Sequence, residues 1–301
     1  MESDQAPTAR FRLHSGFLER VAHFAAHAAA RRRTPTEDSP GSRAPSVHGS
    51  GEFAGRRRYR PGDDLRAFDW EALARGGGEL VRLRSNDSSE PWAVVLDASA
   101  SMAVGDPPKF QLAGELALAV CAVGLEWGCE VRLAAGERFH VLRSRSDLAR
   151  AAEDLDGFSC AGPEGIEGQA GIGPWLSSPA LERARRWIAI GDLFDVEPSI
   201  VGRFATARRR LDALCVLADV ELSPLSHGQA GASVEWRDPE QPVGLTTQLT
   251  GAELARYGTA LSQHLSHWRA SVARARGVLV IARAGDAFEP HAERWIRGRG
   301  R

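Results

Sequence analysis

Two rhythms of apolar and polar positions run along the chain, and together they predict its elements. Phe17, Leu18, Val21, Phe24 and Ala28 recur at helical spacing, which predicts an amphipathic helix over 16–33 ending in three arginines. Residues 80–84 alternate apolar and basic side chains, as a strand on a solvated edge does. From Trp92 the rhythm becomes strand, helix, strand. The spacing predicts a strand over 92–97, a helix over 109–127 and a strand over 129–135 with 138–142 as its hairpin partner. A short helix follows over 146–155 with Ser146 as N-cap, then a Gly- and Pro-rich loop over 157–179, long enough to be functional or mobile. The apolar run 187–192 again ends in an acid. Further on, the pattern predicts a helix over 199–210, strands over 213–218 and 278–282, an edge strand over 233–238, and helices over 250–276 and 290–297. Strands alternating with helices predict a doubly wound, mostly parallel α/β sheet with covered faces.

Residues 1–10 read as disordered, and the Pro-, Ser- and Gly-rich stretch 34–51 as a flexible loop. The expected organisation is an N-terminal helix and flexible linker over 1–50, a turn and edge-strand region over 51–90, and the α/β domain over 91–301. At 301 residues, with 43% hydrophobic and 26% charged residues, the chain can bury a sizeable core. A net charge of −1 gives no global field for nucleic acid or an anionic membrane. The window 112–125 carries Glu115 and is too short and too charged to span a bilayer. The first residues are acidic and polar, unlike a signal peptide. Cys121, Cys129, Cys160 and Cys215 show no C-x-x-C spacing, so a reduced, cytoplasmic setting is expected. Lys109 is the single lysine, and its surroundings, Asp106-Pro107-Pro108-Lys109-Phe110, are no P-loop, so the chain is not expected to be an ATPase itself.

The chemistry concentrates where the strand 92–97 ends. Asp97, Ser99 and Ser101 follow the apolar run Val94-Val95-Leu96, at the carboxyl end of a strand, where open α/β sheets place their ligands. One carboxylate and two hydroxyls on one turn are hard oxygen ligands of the kind Mg²⁺ prefers. The competing reading is that these side chains only satisfy the amides of a turn and cap the next helix.

Upstream stands Tyr59-Arg60-Pro61-Gly62-Asp63-Asp64-Leu65-Arg66-Ala67-Phe68-Asp69-Trp70, with Ala74-Arg75 just after. This stretch, some thirty residues before an Asp-x-Ser-x-Ser strand end, resembles the signature of the domain-of-unknown-function-58 family. The resemblance runs from about Gly51 to the C-terminus, with weaker echoes at 236–240 and in the helix bearing Tyr257. It implies a von Willebrand factor A-like domain with a metal-ion-dependent adhesion site for Mg²⁺ or Mn²⁺. It also implies work beside a MoxR-type AAA+ ATPase in assembling or maturing an unknown client. Carried over residue by residue, the first metal loop is Asp97, Ser99 and Ser101. The third is Asp192 in Ile190-Gly191-Asp192, with Asp195 its nearby competitor. The second should supply a threonine, yet none lies between Asp97 and Asp192; Ser159, Ser177, Ser178 or a water would fill the position. The function so implied is that of a non-enzymatic adaptor with a protein partner; the balanced charge and the lack of a long apolar window add the expectation of neither nucleic-acid binding nor a membrane span. The alternatives are a divalent-metal hydrolase using Asp97 and Asp192, and a structural binding domain with a degenerate metal site.

The signature residues Tyr59, Pro61, Gly62, Asp63, Asp64, Arg66, Asp69, Trp70 and Arg75 could face a partner or buttress the metal loop. The favoured expectation is an internal network of Arg–carboxylate pairs with Trp70 packed beneath it. The arginine runs 31–33, 56–58 and 208–210 read as solvated or ion-paired faces. His264 and His267, spaced i, i+3, read as surface or packing residues, and Gly171-Ile172-Gly173-Pro174 lacks the strand and third glycine of a dinucleotide loop. Trp92, Trp127, Trp187 and Trp268 are expected in the core.

Overall fold

In the apolar run from Trp92 to Leu96 every side chain is buried, and successive residues enter different cores. Val94 and Leu96 point to one layer of helices, Ala93 and Val95 to the other, as the two-residue period of a strand requires. A strand without a polar face must lie in the middle of a covered sheet. The computed structural model describes residues 9–32, 53–84, 91–160, 171–206, 209–223, 233–237, 244–248 and 250–298. The expected loop 34–51, the centre of the loop 157–179, and Arg33 and Arg208 lie outside the described residues.

In chain order the elements are α1 (Phe17–Arg32), β1 (Phe53–Arg58), α2 (Trp70–Ala74), β2 (Leu80–Arg84), β3 (Trp92–Leu96), α3 (Lys109–Glu126), β4 (Val131–Ala135) and β5 (Arg138–Leu142). They continue with α4 (Arg145–Leu155), α5 (Gly173–Leu176), β6 (Arg186–Gly191), α6 (Val201–Thr206), β7 (Arg210–Leu217), α7 (Asp219–Leu222), β8 (Ser233–Arg237) and β9 (Gly244–Gln248). Last come α8 (Gly251–Arg274), β10 (Leu279–Arg283) and α9 (Phe288–Gly298).

The main sheet has six strands in the order β10-β7-β6-β3-β4-β5, parallel throughout except for the antiparallel edge pair β4–β5. α1, α3, α4 and α9 build the core on one face, and α6 and α8 that on the other. The chain is therefore a doubly wound, mostly parallel α/β fold. α1 belongs to this core: it packs along α3, and Phe17 and Phe24 meet Phe288 of α9 edge-on at 5.5 and 5.8 Å. Among the described residues, no helix is long and apolar enough to cross a membrane.

One buried polar cluster ties the sheet to α9. Asp212, in β7, accepts from Arg186 Nη1 at 2.5 Å, from Trp295 Nε1 at 3.0 Å and from the Val278 amide at 3.0 Å. Arg186 and Asp212 are both buried, so the carboxylate has replaced water by three donors.

Several details depart from the sequence expectations. Ser144, not Ser146, caps α4, in a capping box with Asp147, because Ser146 already lies inside the first turn. The expected edge strand over 233–238 is β8, which pairs with β9 in a separate two-stranded sheet. β1 was not visible in the pattern; it pairs antiparallel with β2.

Candidate functional site

β3 leaves the sheet centre towards β4 on one side, while β6 returns on the other. The strand order thus reverses between β3 and β6, and the crevice at their carboxyl ends is the switch point where such sheets bind ligands. Both strands end there in an acid, Asp97 after β3 and Asp192 after β6. The Asp97 amide donates to Ile190 O at 2.8 Å, which locks the two strand ends together.

Gly191 makes this approach possible. A Cβ on it would lie 2.4 Å from Asp97 Cβ and 2.7 Å from Asp97 Oδ2. Gly191→Ala must push the strand ends apart, and we expect it to cost about 1–3 kcal/mol of stability, as overpacking does. Urea unfolding checks the cost; a variant as stable as wild type would show that the crevice is looser than described.

Oxygen atoms of Asp97, Asp192 and Asp195 lie within 4.8 Å of one another. Asp97 is fully buried; its Oδ1 accepts from the Ser99 amide at 2.9 Å, and its Oδ2 has no hydrogen-bond partner. Ser99 Oγ and Ser101 Oγ share a hydrogen bond of 3.1 Å, and Ser101 Oγ donates to Asp192 Oδ2 at 2.8 Å. The Phe194 amide donates to Asp192 Oδ1 at 3.1 Å. Asp195 stands at the rim, where the Ile172 amide donates to its Oδ2 at 3.1 Å. A Cβ on Gly171 would come within 2.4 Å of the same oxygen.

Lys109, at the start of α3, reaches into this cluster. Its fully buried ammonium donates to Asp192 Oδ2 at 2.7 Å and to Glu221 Oε1 at 2.6 Å. Glu221 is placed in turn by α7: its Oε2 accepts from the Ala218 amide at 2.8 Å, and its main-chain carbonyl accepts from Tyr257 Oη of α8 at 2.9 Å. The Phe194 ring, half exposed, covers the cluster; it lies 5.7 Å from the Lys109 ammonium and 5.4 Å from the His264 ring.

The electrostatics follow from burial. Loss of water pushes the Asp97 carboxyl well above its usual range, and the charges of Asp192 and Asp195 push it further. Asp195, partly desolvated by the crevice, is raised by the same two causes, and burial also raises Glu221 against the pull of Lys109. For Lys109 burial disfavours the charge, yet Asp192 and Glu221 outweigh it and hold the ammonium above its ordinary pKa.

Of the expected site residues, Asp97, Ser99, Ser101 and Asp192 meet in one place, and Asp195 joins them rather than competing with Asp192. Of the three serines considered for the second loop, Ser159 forms a bridge with Arg10, Ser177 ends α5, and the Ser178 hydroxyl accepts from the Ala180 amide. Where the described part of that loop meets the cluster, at Gly171 and Ile172, it brings main chain rather than a hydroxyl. Lys109 and Glu221 were missed as site residues. Their one sequence signal is that Lys109 is the sole lysine among 38 basic residues.

The signature stretch forms its own polar network on the β1–β2 hairpin. Asp69, buried, accepts from Arg56 Nε at 2.6 Å, from Arg82 Nη2 at 3.2 Å and from the Ala72 amide that it caps. These donors hold its carboxyl far below the usual range, the Arg82 and Arg56 bonds first. Arg57 grips Asp63 through two bonds of 2.7 Å, Asp64 caps the turn at 65–67, and Arg75 pairs with Glu71. Tyr59 meets Phe68 edge-on at 5.6 Å, and the Pro61-Gly62 turn brings the Asp63 amide onto Arg60 O. The expectation for Trp70 is corrected: it is 62% exposed, and Phe68 is the aromatic packed inside. With Asp69 turned inward as the cap of α2, the next residue is carried outward.

No curated protein matches the chain. Among solved structures, the crystal structure of conserved hypothetical protein BatB from Bacteroides thetaiotaomicron aligns at 14% identity with a TM-score of 0.38. The alignment covers 69% of this chain and 95% of that one. Residues 55–151 match the family model described as "Protein of unknown function DUF58", a stretch that starts in β1, takes in the Arg–carboxylate network and Asp97, and ends within α4. The likeness to DUF58 thus covers residues 55–151, and β6, β7 and β10, the other half of the main sheet, lie outside the match.

Proposed function

We propose that this protein is a non-enzymatic adaptor with a divalent-cation site at the sheet switch point, of the von Willebrand factor A-like kind that the family resemblance implies. The observation that carries the reading is Asp97 Oδ2, a fully buried carboxylate oxygen without a partner, turned among two more carboxylates. Burying such an oxygen is costly unless a cation or donor meets it. Asp97, Asp192 and Asp195 with Ser99 and Ser101 would hold Mg²⁺ or Mn²⁺, since all five are hard oxygen donors. An ion held by these residues would let the site recognise an acidic side chain of a partner.

The alternative, a divalent-metal hydrolase using Asp97 and Asp192, is weaker on chemistry: a two-metal site needs a second set of ligands, and among the described residues Asp97, Asp192 and Asp195 form the one group of three or more metal-ligating side chains.

Calorimetric titration with Mg²⁺ and Mn²⁺ tests the site. We expect binding to wild type and none to Asp97→Ala; null signals for both, and for a variant in which Lys109 is replaced by a neutral residue, would end the cation reading. Partner identity follows from the resemblance alone, a MoxR-type AAA+ ATPase acting with a client. Pull-down of that ATPase by wild type in Mg²⁺, and its loss in chelator, is the expected result.

A further inference from the structure

We infer that Lys109 is a tethered cation that competes with a divalent ion for Asp192, and so sets the affinity of the switch-point site. The inference rests on the cation reading above and extends it to a residue outside the ligand set.

Lys109 stands in the first turn of α3, the positive end of the helix dipole, where a cation is disfavoured. Its side chain is nonetheless completely buried. It also breaks a rule of composition: the other 37 basic residues among the 38 are arginine. An arginine would present a planar fork, whereas an ammonium is a compact point charge that oxygens can surround from several sides, as they do a small ion. Here it lies 2.7 Å from Asp192 Oδ2 and 2.6 Å from Glu221 Oε1.

Asp192 and Glu221 bond the ammonium, while Asp97 and Asp195 each bring an oxygen within 4.8 Å of one on Asp192. The single charge is spent on Asp192 and Glu221, which leaves Asp97 Oδ2 bare. Lys109 thus neutralises the Asp192–Glu221 side of the cluster and leaves an anionic gap at Asp97 and Asp195. A divalent ion entering the gap must draw on Asp192, whose Oδ2 already takes Lys109 and Ser101 and whose Oδ1 takes the Phe194 amide. The fixed ammonium repels the incoming charge and holds its ligand. Glu221 gives the ammonium a second seat when Asp192 turns to the ion.

The test is Mn²⁺ titration of wild type, Lys109→Met, Lys109→Gln and Lys109→Arg by calorimetry, with circular dichroism confirming the fold of each. Removal of one unit charge within contact distance of the ligand set should tighten binding at least about tenfold in the Met and Gln variants. Lys109→Arg, which keeps the charge, should not tighten it. Binding to the neutral variants alone, with none to wild type, also supports the inference. Folded neutral variants that bind no better than wild type overturn it and leave the cation site standing; binding by none of the four overturns both. Should the neutral variants fail to fold, the wild type decides. With ¹⁵N-lysine labelling the sole lysine gives one ammonium signal, and saturating Mg²⁺ should shift it with the calorimetric affinity. An unmoved signal overturns the inference.

Discussion

In the absence of divalent ions, Asp97→Asn is expected to be more stable than wild type, by about 1–3 kcal/mol in urea unfolding, the cost range of a buried acceptor without a partner. The same variant should lose the stabilisation that Mg²⁺ gives wild type. The reason is that Asp97 is buried beside two other acids with one oxygen bare. Its pH dependence has a definite sign. Burial first, then Asp192 and Asp195, raises the folded pKa above the ordinary 3.8. Between those two values the folded state holds a proton that the unfolded state has released, so stability falls as pH rises through the window. It is fully present below 3.8 and lost above the raised pKa. Asp195 and Glu221 act in the same sense, while the lowered Asp63 and Asp69 lose their contribution below the ordinary range. The difference between wild type and Asp97→Asn isolates the one group. Unfolding curves in chelator at a series of pH values read it; a less stable Asn variant across the window would contradict the bare carboxylate.

The largest loss of stability is expected from Asp212→Ala, at about 3–5 kcal/mol, the range for breaking a buried ion pair from one side. Arg186 would keep its charge in the core, and the Trp295 indole and Val278 amide would lose their acceptor. The cost lies in the partners left behind more than in the pair itself. Hence Asp212→Leu combined with Arg186→Met should recover much of the loss, though Trp295 and Val278 remain unserved. Urea midpoints at constant slope measure both; a single variant within about 0.5 kcal/mol of wild type would show that water reaches Arg186.

Both predictions concern acids at or inside strands, and the sequence made only one kind of them readable. Asp97 and Asp192 stand where a continuous apolar run stops, so the strand pattern itself displays them, and the doubly wound sheet brings them together. The run around β3 and the long period of α3 were readable for the same reason: full burial leaves an unbroken signal. β1 was not, because Phe53-Ala54-Gly55-Arg56-Arg57-Arg58 has no alternation and its register shifts between Phe53 and Gly55. Lys109 and Glu221 are 112 residues apart, and only tertiary contact makes them a pair. Trp70 misled because an indole argues for burial, whereas the cap at Asp69 decides the direction of α2.

The packing of α1 has a consequence for biosynthesis. Residues 9–11 align with 157–160, where the Phe11 amide donates to Phe158 O and the Cys160 amide to Ala9 O. The Phe11 ring fills the notch at Gly114, and Phe17 meets Phe288 near the other end of the chain. α1 thus waits for α9, which is synthesised much later. Contacts of such sequence separation are slow to form, and until α9 emerges the apolar faces of α1 and α3 stay open to wrong partners. A fragment cut at 151, where the DUF58 match ends, would keep that nascent condition permanently.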